Sequence, residues 1–141
     1  MTGRAEGGAS AADRLAVGQG AFYLATGVWP LLHMRSFEAV SGEKTDDWLV
    51  ETVGALLTVG GAVMMLAGLR RRVTPEIALL AAGSAAALTA IDVIYTARRV
   101  IPPVYLLDAV VETGLIAAWA AVTARDPMLD DGGDHEDGGE T

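Results

Sequence analysis

The chain has 141 residues, 52% of them hydrophobic, no cysteine and a formal net charge of −8. That length fits one domain. The lack of cysteine excludes a disulfide scaffold and cysteine-ligated metal or thiol chemistry, and ten Lys/Arg against eighteen Asp/Glu exclude a basic nucleic-acid-binding surface.

Residues 1–13, rich in Gly, Ala and Ser, read as a disordered N-terminal tail. The first apolar run, Leu15–Met34, contains no acid and no Lys or Arg. It resembles the core of a signal peptide, but it is long and Trp29-Pro30 stands where a small-residue cleavage site would be, so it reads as retained. Pro30 removes one backbone donor from the Thr26 carbonyl, which predicts a kink. Thr45-Asp46-Asp47 offers capping acceptors ahead of the second run, Trp48–Leu69, which holds Glu51. Thr74-Pro75-Glu76 is a helix start, with a capping hydroxyl, a proline at the first helical position and an acid at the positive end of the dipole. The third run, Ile77–Ala97, holds Asp92. Pro102-Pro103 separates it from the fourth, Val104–Ala124, which holds Asp108 and Glu112. Residues 126–141 carry seven of the eighteen acids and no Lys or Arg, and read as a disordered acidic tail. The rest of the chain balances ten basic residues against eleven acids, a net −1.

Each run is 20–22 residues long. A helix of that length, rising ~1.5 Å per residue, covers the ~30 Å hydrocarbon core of a bilayer. The runs are apolar on all sides; Gly54–Leu69 and Leu79–Ile91 contain no charge. A helix in water would keep a polar face, so lipid suits these better than water does. The short links at 35–47, 70–76 and 98–103 make sequential spans antiparallel neighbours. The expected fold is therefore an all-α membrane protein, an antiparallel four-helix transmembrane bundle over residues 14–125 with spans near 15–34, 48–69, 77–97 and 104–124. Gly18, Gly20 and Gly27 in the first span, Gly54, Thr58, Gly61 and Ala62 in the second, and the Ala81–Ala87 run in the third predict close helix packing.

Four spans put both termini and the 70–76 link on one side, with Arg4, Arg14, Arg70, Arg71, Arg72 and Arg125. Arg35, Lys44, Arg98 and Arg99 fall on the other. The excess favours cytoplasmic termini in a cell membrane. In that arrangement every ionisable residue within the spans lies toward the outer side. His33 and Arg35 end the first span, and Glu51 is one turn into the second. Asp92 is late in the third, while Asp108 and Glu112 are early in the fourth and share a face at i, i+4. Acids at mid-helix cost about 2.5–3.5 kcal/mol on insertion scales, so they should turn inward and find partners. Candidate partners are Arg35, Arg98, Arg99, His33 and the hydroxyls of Tyr95, Tyr105, Thr52 and Thr96. Trp29, Phe37, Trp48, Tyr95 and Tyr105 lie toward the same side, as an interfacial aromatic belt or as the lining of a pocket.

No lysine lies within a span, which excludes a retinal Schiff base, and a single span histidine, His33, cannot supply both axial ligands of a haem from one chain. No phosphate-binding glycine loop, serine elbow or metal-ligand spacing is present. No cofactor and no metal are expected, and an enzyme is not the favoured reading.

The stretch from Phe22 to Gly54 resembles a group of small prokaryotic four-span membrane proteins. The features that carry the likeness are Trp29-Pro30, Ser36-Phe37-Glu38, Gly42 with Lys44, and Asp47-Trp48-Leu49-Val50. Thr74-Pro75-Glu76 and Pro103-Val104-Tyr105-Leu106-Leu107-Asp108 are similar to that group as well. This resemblance implies the fold and a common polar end, but no particular activity. The GGDHEDGGE tail resembles those of salt-loving archaea, where acidic surfaces stay hydrated at high salt. A more distant likeness, of architecture alone, is to the four-span sterol-isomerase and sigma-2-receptor group, which place carboxylates in a lipid-accessible pocket.

Three functions follow as expectations. The first is a membrane module binding a lipid-like ligand or a cation in a pocket formed by His33, Arg35, Glu38, Glu51, Asp92, Arg99, Asp108 and Glu112. Here Asp92 and Glu112 are the main acceptors, with Arg35 or Arg99 as counter-charge. The second is an accessory or scaffold subunit in which these residues only hold helices together. The third is a lipid isomerase-like enzyme using a carboxylate pair as acid and base. The expected partners are the lipid bilayer and another membrane protein or a second copy of the chain, with no nucleic acid.

Overall fold

A computed structural model describes residues 8–125. The acidic tail and most of the N-terminal tail lie outside the described residues. Five helices follow in order: α1 (Ala11–Leu32), α2 (Met34–Ser41), α3 (Asp47–Leu69), α4 (Pro75–Ala97) and α5 (Tyr105–Arg125). All but α2 are long and apolar enough to cross a membrane. Large apolar side chains cover the outside, with Leu56 69%, Leu79 73% and Val110 69% exposed. Burying such surface requires lipid, and the protein is a multi-pass membrane protein with an all-α, four-helix bundle fold.

The boundaries follow local chemistry. α1 starts at Ala11, four residues before the expected Leu15, because Ser10 and Asp13 form a capping box. The Ser10 Oγ accepts from Asp13 N at 3.1 Å, and Asp13 Oδ2 accepts from Ser10 N at 2.9 Å. Thr74 caps α4 as expected, its Oγ1 accepting from Ile77 N at 3.3 Å. Asp46 precedes α3 but makes no side-chain cap, contrary to expectation. The 35–47 link is not an open connection. It contains α2, which His33 opens by accepting from Ser36 N through Nδ1 at 3.1 Å. Gly42, at φ 90°, ends it; a Cβ there would lie 2.8 Å from the Pro102 ring. α3 and α4 both end in a left-handed residue that is not glycine, Arg71 at φ 55° and Arg99 at φ 58°. Arg72 N donates to Ala67 O and Arg71 N to Gly68 O; Val100 N to Tyr95 O and Arg99 N to Thr96 O repeat this Schellman pattern.

The helices are two closely packed pairs rather than a uniform ring. α1 lies antiparallel along α3, and α4 along α5. The first pair is set by glycines seven residues apart. A Cβ on Gly20 would lie 2.6 Å from the Gly61 carbonyl oxygen, and one on Gly27 2.5 Å from that of Gly54. Gly68 would meet the Asp13 carbonyl in the same way. Backbone-to-backbone approach of this kind replaces the hydrophobic effect as the source of cohesion in lipid. Gly18 plays no such part, having open space above it, and Ala62 is exposed. α1 also touches α4 and α5, whereas α3 and α4, joined by residues 70–74, hardly meet. Sequential spans are therefore not all packed neighbours, and a gap runs between α3 and α4.

Candidate functional site

Two polar tiers cross the interior from α1. One is fully paired. Trp119 Nε1 on α5 donates to Gln19 Oε1 at 2.6 Å, and Gln19 Nε2 donates to the Ala81 carbonyl of α4 at 2.9 Å. Trp119 and Gln19 are each 1% exposed, so this chain of bonds satisfies a buried amide and a buried indole together. One turn along α1, the Tyr23 hydroxyl donates to Glu112 Oε2 at 2.8 Å. Beyond it, the Asp92 and Asp108 carboxyls meet side chain to side chain. This second tier is incompletely paired. Glu112 is 1% and Asp92 4% exposed; the Asp92 carboxyl has Asp108 beside it, but among the described residues Glu112 Oε1 has no partner, and neither do the buried hydroxyls of Thr89 and Thr96 on either side of Asp92.

The three carboxyl groups line a cavity of about 370 Å³ at the α2 end of the bundle. That size lies in the range of small-molecule sites, about 300–1,000 Å³. Its walls come from all five helices. Tyr23, Thr26 and Pro30 face it from α1, Val53 and Leu57 from α3, Leu88 from α4, Tyr105 from the start of α5 and Val104 from the turn just before it. Pro30 carries no N–H, so the Thr26 carbonyl at this wall lacks its helical donor. α2 closes one side with Phe37, Val40 and Ser41.

Lys44 is the one basic residue lining the cavity among the described residues. The Gly42 turn carries it back over the mouth. Its Nζ donates to the Ser41 carbonyl at 2.8 Å and sits 5.0 Å above the centre of the Tyr105 ring. Glu38 Oε1 accepts from Lys44 N at 3.3 Å and fixes the same turn.

Of the residues expected at the site, the structure brings Asp92, Asp108 and Glu112 together in the cavity and leaves the others outside its lining. His33 is exposed and serves as the cap of α2. Arg35 is exposed on α2, Glu51 is exposed in the first turns of α3, and Glu38 is half-buried under the Lys44 turn. Arg99 is exposed at the left-handed end of α4. Among the described residues no arginine lines the cavity, so the expected Arg35, Arg98 or Arg99 counter-charge is not found there; Glu112 is held instead by the neutral Tyr23 hydroxyl, and Lys44 Nζ is engaged by the Ser41 carbonyl and the Tyr105 ring. Phe37 and Tyr105 take the lining role among the expected aromatics, while Trp48 is 67% exposed at the start of α3.

Tyr23, Gln19, Trp119 and Lys44 were not read as polar-site residues from the sequence. A signal existed for two of them. Gln19 is the only Gln in the chain, which has no Asn, and Trp119 is the only aromatic residue of the fourth run besides Tyr105. Among the described residues no group of three His, Cys, Asp or Glu is arranged to hold a metal ion, so the three carboxyls line a space rather than close on a point. Comparison with protein-family models, with curated proteins and with solved structures gives no match to this chain.

Proposed function

We propose that the protein binds a positively charged organic ligand in the acid-lined cavity at the α2 end. The observation that carries this reading is the buried Glu112 Oε1, which has no partner among the described residues and stands with the Asp92 and Asp108 carboxyls on the wall of a cavity of about 370 Å³. A bundle that used its acids only as glue would pair them, because an unmade bond to a buried charged group costs more than the bond contributes. An ammonium head offers three donors to these acceptors. The mostly apolar walls suit an organic body.

The reading extends to placement. The cavity end is taken as the outer side of a cell membrane, with cytoplasmic termini, on the Lys/Arg bias. Membership of the small prokaryotic four-span group, in a salt-loving archaeon, rests on residues 22–54 and 74–108 and on the acidic tail. A subunit role is the second reading. It is favoured by an exposed strip of small residues on α4, Gly83, Ala86, Ala87 and Ala90, where another helix can approach closely.

The test is native mass spectrometry of the protein released from its own membrane. A bound amine-bearing mass is expected in the wild type. Asp92→Asn and Glu112→Gln should fold and lose it. If both variants instead vanish from the membrane fraction, the acids hold helices together and the subunit reading replaces this one.

A further inference from the structure

We infer that the ligand is a single-chain amphiphile whose charged head occupies the acid-lined cavity and whose hydrocarbon chain lies in the groove between α3 and α4. This rests on the cavity reading above and adds the class of ligand and its path. The groove is a second hollow of about 330 Å³, with Leu56 and Gly60 on one side and Leu80 and Ser84 on the other. Tyr23, Val53 and Leu57 line both hollows, so the groove continues the cavity along α3. It exists because α3 and α4 hardly touch, each being packed instead against its own partner.

Gly60 gives independent support. Gly54, Gly61 and Gly68 on the same helix are each pressed against α1, but a Cβ on Gly60 would meet nothing within 4 Å. Glycine there costs about 1 kcal/mol of helix stability against alanine with no return in helix packing. Its lack of a side chain keeps the groove open. The rim is formed by Leu56 and Leu80, 69% and 42% exposed, which leaves the groove open sideways to hydrocarbon rather than to water. A ligand with a chain can therefore enter from the membrane, and its head ends among the three carboxyls that line the cavity. Charge separates this occupant from a bulk lipid tail. A neutral chain would fill the groove and leave Glu112 Oε1 without a donor.

The experiment uses the full chain in phosphatidylcholine nanodiscs, with butylamine, dodecylamine and dodecanol as probes and retention read by native mass spectrometry. Dodecylamine should be retained at least tenfold over both others. Gly60→Leu or Ser84→Leu should cut that retention about tenfold with helicity unchanged, and Glu112→Gln should do the same from the other end. If butylamine is held as well as dodecylamine, the chain groove is wrong and the cavity reading stands. If dodecanol is held as well, charge plays no part in selecting the occupant and the inference fails. If folded wild-type protein holds neither amine, the inference and the cavity reading fail together.

Discussion

Tyr23 and Glu112 meet across the bundle axis in a bond that uses half of a carboxylate. The hydroxyl donates to Oε2 at 2.8 Å, while Oε1 of the same 1%-exposed side chain has no partner among the described residues. Tyr23 thereby fixes the carboxyl plane and leaves one oxygen beside the cavity. Tyr23→Phe removes the donor and keeps the ring. It should weaken amine binding and lower stability. In a double-mutant cycle with Glu112→Leu, the coupling should fall near 0.6–1.7 kcal/mol, about what polar pairs reach between membrane helices. Unfolding of the four variants in one detergent measures it, and a coupling near zero would remove Tyr23 as the positioning partner.

The glycines of α3 separate packing from cavity function. Gly61→Ala places a methyl group 2.6 Å from the Gly20 carbonyl and the Leu24 amide, both backbone atoms that cannot rotate away. Overpacking of this kind costs about 1–3 kcal/mol. Gly18→Ala meets open space and should instead gain up to about 1 kcal/mol from helix propensity. Thermal denaturation of the two variants should move in opposite directions.

The paired tier predicts a different failure. Gln19 bridges Trp119 on α5 and the Ala81 carbonyl on α4. Gln19→Leu keeps the volume but strands the buried indole N–H and the carbonyl's extra acceptor, at about 1–3 kcal/mol for an unsatisfied group. The loss should appear as a change in Trp119 fluorescence with a lower melting temperature. A red-shifted emission maximum without any loss of stability would mean that water replaces the amide at no cost.

Much of this was legible in the sequence because lipid imposes a simple rule. Twenty apolar residues in a row leave few alternatives to a span, and Thr74-Pro75 marks a helix start on local chemistry alone. The grouping of Asp92, Asp108 and Glu112 was legible too, since antiparallel spans put late residues of one helix beside early residues of the next. The partners were not. An apolar-all-round helix has no stripe to show which face turns inward, so nothing aimed Tyr23 or Gln19 at α5. Short links suggested that α3 packs on α4, but Gly20, Gly27, Gly54 and Gly61 let α1 and α3 approach more closely and drew α3 away. Lys44 reaches the cavity only through the Gly42 turn, a backbone reversal that hydropathy does not register.

Arg99 offers the sharpest separation between the sequence reading and the structure. It was expected as a counter-charge for the acids, yet it sits exposed at φ 58° just past the end of α4, where Arg99 N donates to the Thr96 carbonyl at 3.0 Å. A side chain in the left-handed region carries a penalty of roughly 1–2 kcal/mol that glycine escapes. Glycine in turn loses more chain entropy on folding, about 0.5–1 kcal/mol. Arg99→Gly should therefore stabilise the protein by about 0.5–1 kcal/mol, the difference of the two effects. It should leave amine retention at the wild-type level, because the cavity lining does not include this residue. A residue holding a buried carboxylate would behave in the opposite way, with stability and ligand lost together. Melting temperature and dodecylamine retention on the one variant decide between the two roles.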